Sequence, residues 1–244
     1  SINWARIMAQ VVYYFTAGIA LGAPDRAIDF TVPTGNFGDI FAGYVASRMG
    51  LPIGRLVIAT NENDILARAL ETGRYEMRGV EATTSPSMDI QISSNFERLL
   101  FEASGRDSAY VRRAMAGLKQ SGAFDIEEKT LAEIRSLFAA GRTDQAGAAA
   151  EIARSLRDTG VLIDPHTAVA VAVARKHERT ENPMVVLSTA HPAKFPDAVK
   201  SASGIDPALP AWLAGLMDKE ERFSVLSPDL DAIEAFIRSG IQKG

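Results

Sequence analysis

The chain has 244 residues, 47% hydrophobic and 23% charged, which is the composition of a soluble globular protein long enough for one large domain or a domain with an appendage. Lys and Arg number 26 against 30 Asp and Glu, for a formal net charge of −4, and no basic block offers a face that would neutralise phosphates, which argues against a nucleic-acid partner. Cysteine is absent, so disulfides, thiolate nucleophiles and thiolate metal sites are excluded, and His166, His177 and His191 stand at no metal-ligand spacing.

The chain opens at Ser1, almost directly into an apolar pattern at helical spacing: Ile2, Trp4, Ile7, Met8, Val11, Val12 and Phe15. The stretch from Ile7 to Ala23 is interrupted by Gln10 and Thr16 and weakened by Gly18 and Gly22. It falls short of the ~20 apolar residues that a membrane span needs, and neither a basic leader nor a small-residue cleavage site is evident. The segment is expected to be a buried core helix, in a cytoplasmic protein with no membrane partner. A pattern that starts in mid-core leads us to expect a segment before it.

Pro24 and Asp25 mark a turn. Residues 27–33 form an apolar strand ending in Pro33, 34–39 a glycine-bearing loop, 40–50 a helix ending at Gly50, and 55–60 a second strand. Strand, loop, helix and strand in that order make a βαβ unit with parallel strands, and continuous apolar strands suit a sheet covered on both faces. Asn61 is expected to cap a helix over 63–73 that Gly73 closes. Residues 79–94, rich in Ser and Thr, read as a loop. Helices follow over 95–104, 107–118, 127–140 and 143–158, a helical layer or insertion at about 95–160 packed beside the sheet. Asp164 and Pro165 start a helix over 166–178, residues 184–189 form a strand, 193–202 a helix, and Ser227, Pro228 and Asp229 cap a last one. The fold class is therefore α/β, a parallel sheet with helices on both faces plus a helical insertion, in one unit with no evident boundary.

Two segments carry the chemistry. In PTGNFGD, residues 33–39, a strand end meets a helix start, where unpaired N–H groups and the helix dipole favour an anion. Gly35 and Gly38 allow positive φ and close approach; with neither a Walker lysine nor GxGxxG spacing, nucleotide readings are weak, and phosphate site and mere connection are evenly weighed. A carboxylate facing a bound phosphate would repel it, so Asp39 is expected to point outward. In STAHPAKF, residues 188–195, Thr189 sits where a strand stops, the usual place for functional side chains in parallel sheets. His191 is read as holding the turn before Pro192, and Lys194 as solvated near a helix start.

PTGNFGDIFAGYVASRMGLPI, IATNENDIL, TSPSMDIQISSNFERL, DPHTAV and STAHPAKFPDAV, in this order, resemble threonine synthase. The resemblance covers essentially the whole chain, in the subtype with a long helical insertion. It implies the large-domain part of a tryptophan synthase β-like fold and the cofactor pyridoxal 5′-phosphate (PLP), whose phosphate the main-chain N–H groups of Gly35, Asn36, Phe37 and Gly38 would hold. Thr189 would place its hydroxyl against the pyridine nitrogen. The family's Schiff-base lysine lies upstream of the matched segment. None of Lys119, Lys129, Lys176, Lys194, Lys200, Lys219 and Lys243 stands in a segment like its motif, so no catalytic residue and no metal ligand is expected here. The resemblance thus implies the C-terminal part of a lyase that turns O-phospho-L-homoserine and water into L-threonine and phosphate, inactive without its N-terminal part. The alternatives are a non-catalytic homologue that binds phosphorylated metabolites, and a serine or threonine dehydratase-like PLP enzyme. Asn63, Ser85, Ser94, Asn95 and Arg98 are polar candidates for substrate contacts, and each could equally cap a helix or turn.

Overall fold

The computed structural model describes residues 3–177 and 180–241; Ser1, Ile2 and Lys243, named above, and the last residue of the helix expected over 166–178 lie outside the described residues. The first helix, α1 (Trp4–Ala20), is capped by Asn3, whose side chain accepts from the Ala5 N–H. Only one face of it is buried, through Ile7, Val11, Tyr14 and Gly18. Met8, Val12, Tyr13 and Ile19 stay more than half exposed. The expected buried core helix is thus corrected: apolar residues fall on both faces, and the described residues cover only one.

Strand β1 (Ile28–Pro33), helix α2 (Gly38–Arg48) and strand β2 (Ile53–Thr60) form the expected βαβ unit, and β1 and β2 run parallel, with Phe30 opposite Leu56 and Pro33 opposite Ala59. Helix α3 (Ile65–Thr72) ends at left-handed Gly73, as expected. Its cap position is Asp64, not Asn61, because the Asn61 side chain is engaged with Thr83, Ser85 and Asp89. Then come β3 (Arg74–Glu76), the loop with a short 3₁₀ turn at Pro86–Met88, α4 (Phe96–Ala103), α5 (Ser108–Ser121), β4 (Ala123–Asp125) and α6 (Glu128–Leu137). The helix expected over 127–140 stops early. Phe138–Arg142 is instead strand β5, paired parallel to β2, so the helical block is interrupted by a return to the sheet. Helices α7 (Gln145–Thr159) and α8 (Pro165–Lys176), strand β6 (Met184–Val186), a 3₁₀ turn at Pro192–Lys194 and α9 (Pro196–Ser203) complete the unit.

The sheet order is β5-β2-β1-β6, and every pairing in it is parallel. Along β2 the side chains alternate between two cores: Leu56 and Ile58 face the cluster that contains Tyr14, Ile40 and Phe41, and Val57 and Ala59 face the one built on Ile152, Val169 and Val173. That is the period-2 signature of a sheet covered on both faces. Helices α1 and α2 meet closely at Gly43, where an added methyl would lie 2.6 Å from the Tyr14 ring. Their contact leaves the Tyr14 hydroxyl to donate to the Asp39 carbonyl at 2.8 Å.

The described residues separate into two compact units divided after Pro207, where no boundary was expected. The second unit has 3₁₀ turns at Ala211–Leu213 and Leu216–Asp218 and the helix α10 (Leu230–Ile241); the Asp229 carboxylate accepts from the Ala232 N–H at 2.9 Å, as its capping pattern implied. No helix among the described residues is long and apolar enough to cross a membrane.

Candidate functional site

The carboxyl ends of β1 and β6 and the start of α2 open on a cleft of about 530 Å³, lined by Gly35, Asn36, Phe37 and Gly38 on one wall and Thr189 and Lys194 on another. This is where ligands bind in open parallel sheets, and the volume suits a small organic molecule. Both segments singled out in the sequence therefore meet in one site.

The glycine loop reaches its shape differently from expectation. Gly35 and Gly38 do not take positive φ; Phe37 does, at φ 65°. A bulky residue holds the left-handed conformation because its ring is buried, 5.3 Å from Phe96 and 5.8 Å from Phe138 between centroids, and that burial outweighs a strain of ~1–2 kcal/mol. Gly35 is required for space instead: a methyl there would collide with the Ser87 carbonyl oxygen and lie 3.3 Å from the Met88 Cα. Among the described residues no side chain caps α2, so its first N–H groups are available to a ligand in the cleft.

The loop's carbonyls are tied back from behind. Ser93 Oγ donates to the Gly35 carbonyl at 2.8 Å, and the main-chain N–H and side-chain amide of Asn95 both donate to the Asn36 carbonyl, at 3.1 and 2.9 Å. With its carbonyls turned away, the loop presents N–H groups forward. An uncapped helix start, carbonyls held to the rear and backbone approach that excludes a Cβ are the features a phosphate needs.

Asp39 is not outward as expected. It lines the cleft, one carboxylate oxygen is buried without a hydrogen-bond partner among the described residues, and burial pushes its carboxyl up to about 6, against the opposing charge of Arg6. Arg6, from α1, lines the same cleft.

The opposite wall is less buried. Thr189 is exposed at the cleft, in the turn after β6. Among the described lysines only Lys194 lines the cleft, its ammonium 5.5 Å from the Phe195 ring centroid. His191 stays outside, accepting from the Ala193 N–H through Nδ1 at 3.2 Å, the turn-holding role expected of it. His166, to which the sequence reading gave no role, lies on the cleft wall against Phe195, with ring centroids 4.7 Å apart. Its signal was available in DPHT, an N-cap followed by a side chain on the first turn. Asp164 caps α8 through the N–H groups of His166 and Thr167. Burial raises its carboxyl, but hydrogen bonds from His166 and Thr167 prevail and hold it below the usual range.

None of the five polar candidates lines the cleft. Asn63 and Ser85 join Asn61 and Asp89 in the network that pins the 79–94 loop. Ser94 lies 3.4 Å from the Asn36 side chain behind the loop, and Arg98 donates to the Asn95 side chain at 3.0 Å and lies over the Trp4 ring.

Comparison with known proteins places similar sequences and folds in one family. A family described as "Threonine synthase, C-terminal" matches residues 167–237. The threonine synthase of Pseudomonas aeruginosa is 50% identical over the whole chain. Among solved structures, the PLP-bound threonine synthase from Brucella melitensis is 66% identical over 98% of the chain with a TM-score of 0.94. That from yeast is 37% identical over the full chain with a TM-score of 0.86. The chain spans about half the length of the relatives it matches, 52% in Pseudomonas aeruginosa and in Brucella melitensis.

Proposed function

Because the chain belongs to the threonine synthase family and matches its C-terminal portion, we propose that it is the large-domain half of a lyase that converts O-phospho-L-homoserine and water to L-threonine and inorganic phosphate in the cytoplasm. The cofactor-bearing lysine would come from the N-terminal part of the same enzyme, and this half would be inactive alone. The observation that carries the reading is the uncapped start of α2, with left-handed Phe37, opening on the same cleft as Thr189.

PLP, when bound, supplies an electron sink that stabilises negative charge on the substrate carbons. The loop of Gly35, Asn36, Phe37 and Gly38 would hold its phosphate by main-chain N–H groups. The Thr189 hydroxyl would donate to the ring nitrogen and keep it unprotonated, which moderates the sink. Arg6 and Lys194 add positive potential to the cleft, favouring entry of an anionic substrate. Phe195 and Met88 line the same cleft and reduce its water content, which strengthens each of these electrostatic contacts.

The test is to assemble the chain with the remaining half of a relative such as that from Brucella melitensis, supply PLP, and assay O-phospho-L-homoserine. Equal release of threonine and phosphate supports the proposal. Ammonia release from serine or threonine without phosphohomoserine turnover would point to the dehydratase-like alternative. An assembly that binds PLP and turns over none of these would be the non-catalytic homologue.

A further inference from the structure

Behind the cleft wall, Asp164 is fully buried at the cap of α8. One of its oxygens accepts the His166 main-chain N–H and meets His166 Nδ1, both at 2.9 Å. An ionised carboxylate only accepts, so Nδ1 must carry the ring proton there and Nε2 is left as an acceptor. Nε2 is met by the Ser87 main-chain N–H at 3.3 Å. The carbonyl of that same Ser87 is what an added methyl on Gly35 would strike. A continuous chain of contacts therefore runs from Asp164 through His166 and Ser87 to the first residue of the glycine loop. The other Asp164 oxygen takes the Thr167 hydroxyl. Thr167 Oγ1 also lies 3.2 Å from Ser188 Oγ. Ser188 directly precedes Thr189.

We infer that His166, held by Asp164 with Nε2 as an acceptor, is a positioning residue that seats Ser87 against Gly35 and so sets the shape of the phosphate-binding loop. Its ring nitrogens are both committed, one to Asp164 and one to Ser87, so it acts on the loop through Ser87. The inference deepens the reading of the α2 loop as a phosphate cradle and rests on it for its ligand, though not for its geometry.

The two amide substitutions separate its two contacts. His166→Asn places an amide near the Nδ1 position and keeps a donor for Asp164, but does not reach Ser87. His166→Gln extends to the Nε2 position and can accept from Ser87. The experiment uses the full chain. Ring ¹⁵N shifts give the His166 tautomer, amide ¹H–¹⁵N shifts follow Gly35 and Ser87, and titrations compare PLP with pyridoxal, which lacks the phosphate. The expected result is a proton on Nδ1 alone, displaced Gly35 and Ser87 amides in His166→Asn, and a PLP-over-pyridoxal preference reduced about tenfold, in line with loss of one buried hydrogen bond. His166→Gln is expected to restore both the amide shifts and the preference. A proton on Nε2, unmoved Gly35 and Ser87 amides in His166→Asn, or equal behaviour of the two variants would overturn the inference. If the unsubstituted chain does not prefer PLP while ring and amide shifts behave as stated, the cofactor reading fails and the positioning role of His166 stands.

Discussion

The rings of Phe37 and Phe96 pack edge to face, with centroids 5.3 Å apart and planes at 75°, and this contact holds the cleft loop in a left-handed turn at a residue that is not glycine. The packing of one side chain thereby fixes where the N–H groups of α2 point. Phe37→Ala should destabilise the chain by about 3–5 kcal/mol, as for other buried Phe truncations, measured as a fall in the urea midpoint. Phe37→Gly relieves the backbone strain but not the lost packing, so it should recover only about 1–2 kcal/mol over alanine. A glycine variant as stable as the unsubstituted chain would show that strain, not burial, dominates there.

The two loop glycines should respond unequally to alanine. At Gly35 the new methyl meets the Ser87 backbone, which has no flexible end to move aside. A loss of about 1–3 kcal/mol is expected from such overpacking, with weakened PLP binding. At Gly38 the methyl finds only the Asn95 amide at 3.5 Å and the Gln10 side chain at 3.7 Å, ordinary contacts. Gly38→Ala should keep its stability within about 0.5 kcal/mol. Equal thermal shifts for the two would contradict the close approach at Gly35.

Asp39 gives the chain a pH signature. Its carboxyl is raised from 3.8 to about 6 by burial, so between those values the folded chain binds more protons than the unfolded one, and stability falls as pH rises through that window. Asp39→Asn has no such group. Relative to Asp39→Asn, the unsubstituted chain should lose stability from pH 3.8 to about 6 and stay parallel above it. Denaturation midpoints of both proteins across that range check it; parallel curves throughout would mean that Asp39 is solvated.

At Thr189 function and stability should part company. The residue is exposed, so Thr189→Val should change stability by less than about 0.5 kcal/mol. On the proposed reading the hydroxyl is the ring-nitrogen partner, so the assembled enzyme should lose about tenfold or more in kcat, and Thr189→Ser should retain most of it. Full activity in Thr189→Val would remove Thr189 from the site.

The parts of the fold that were legible in the sequence are those where local and long-range preferences agree. The Pro33-to-Gly38 junction, the capping of α8 by Asp164 and the closure of α3 by Gly73 are each set by residues within one turn. Strand β5 was not legible, since SLFAAGR carries Leu and Ala at helical spacing, and only the open edge of β2 pulls it into the sheet. Strands β3 and β4 are three residues each, too short for a period to register. Within the site, the PTGNFGD and STAHPAKF segments announced themselves, but the division of labour inside them did not. Which residue turns left-handed depends on the pocket between Phe96 and Phe138, and the facing of Asp39 depends on α1 lying across α2.

The hydrogen bonds from Ser93 and Asn95 to the back of the glycine loop bear on how far such an enzyme could be miniaturised. The helical block that contains α4, α5 and α6 looks from the chain order like a detachable ornament on the sheet. Yet its entry strap carries the groups that hold the Gly35 and Asn36 carbonyls, and Tyr75 of β3 accepts the Ser93 N–H at 2.9 Å while stacking on Phe96 and Phe124. A streamlined variant that splices β3 directly to β5 would lose the rear anchorage of the cradle along with the helices. A shortened scaffold must therefore spare Ser93 to Phe96 and an aromatic platform beneath them, whatever it discards beyond.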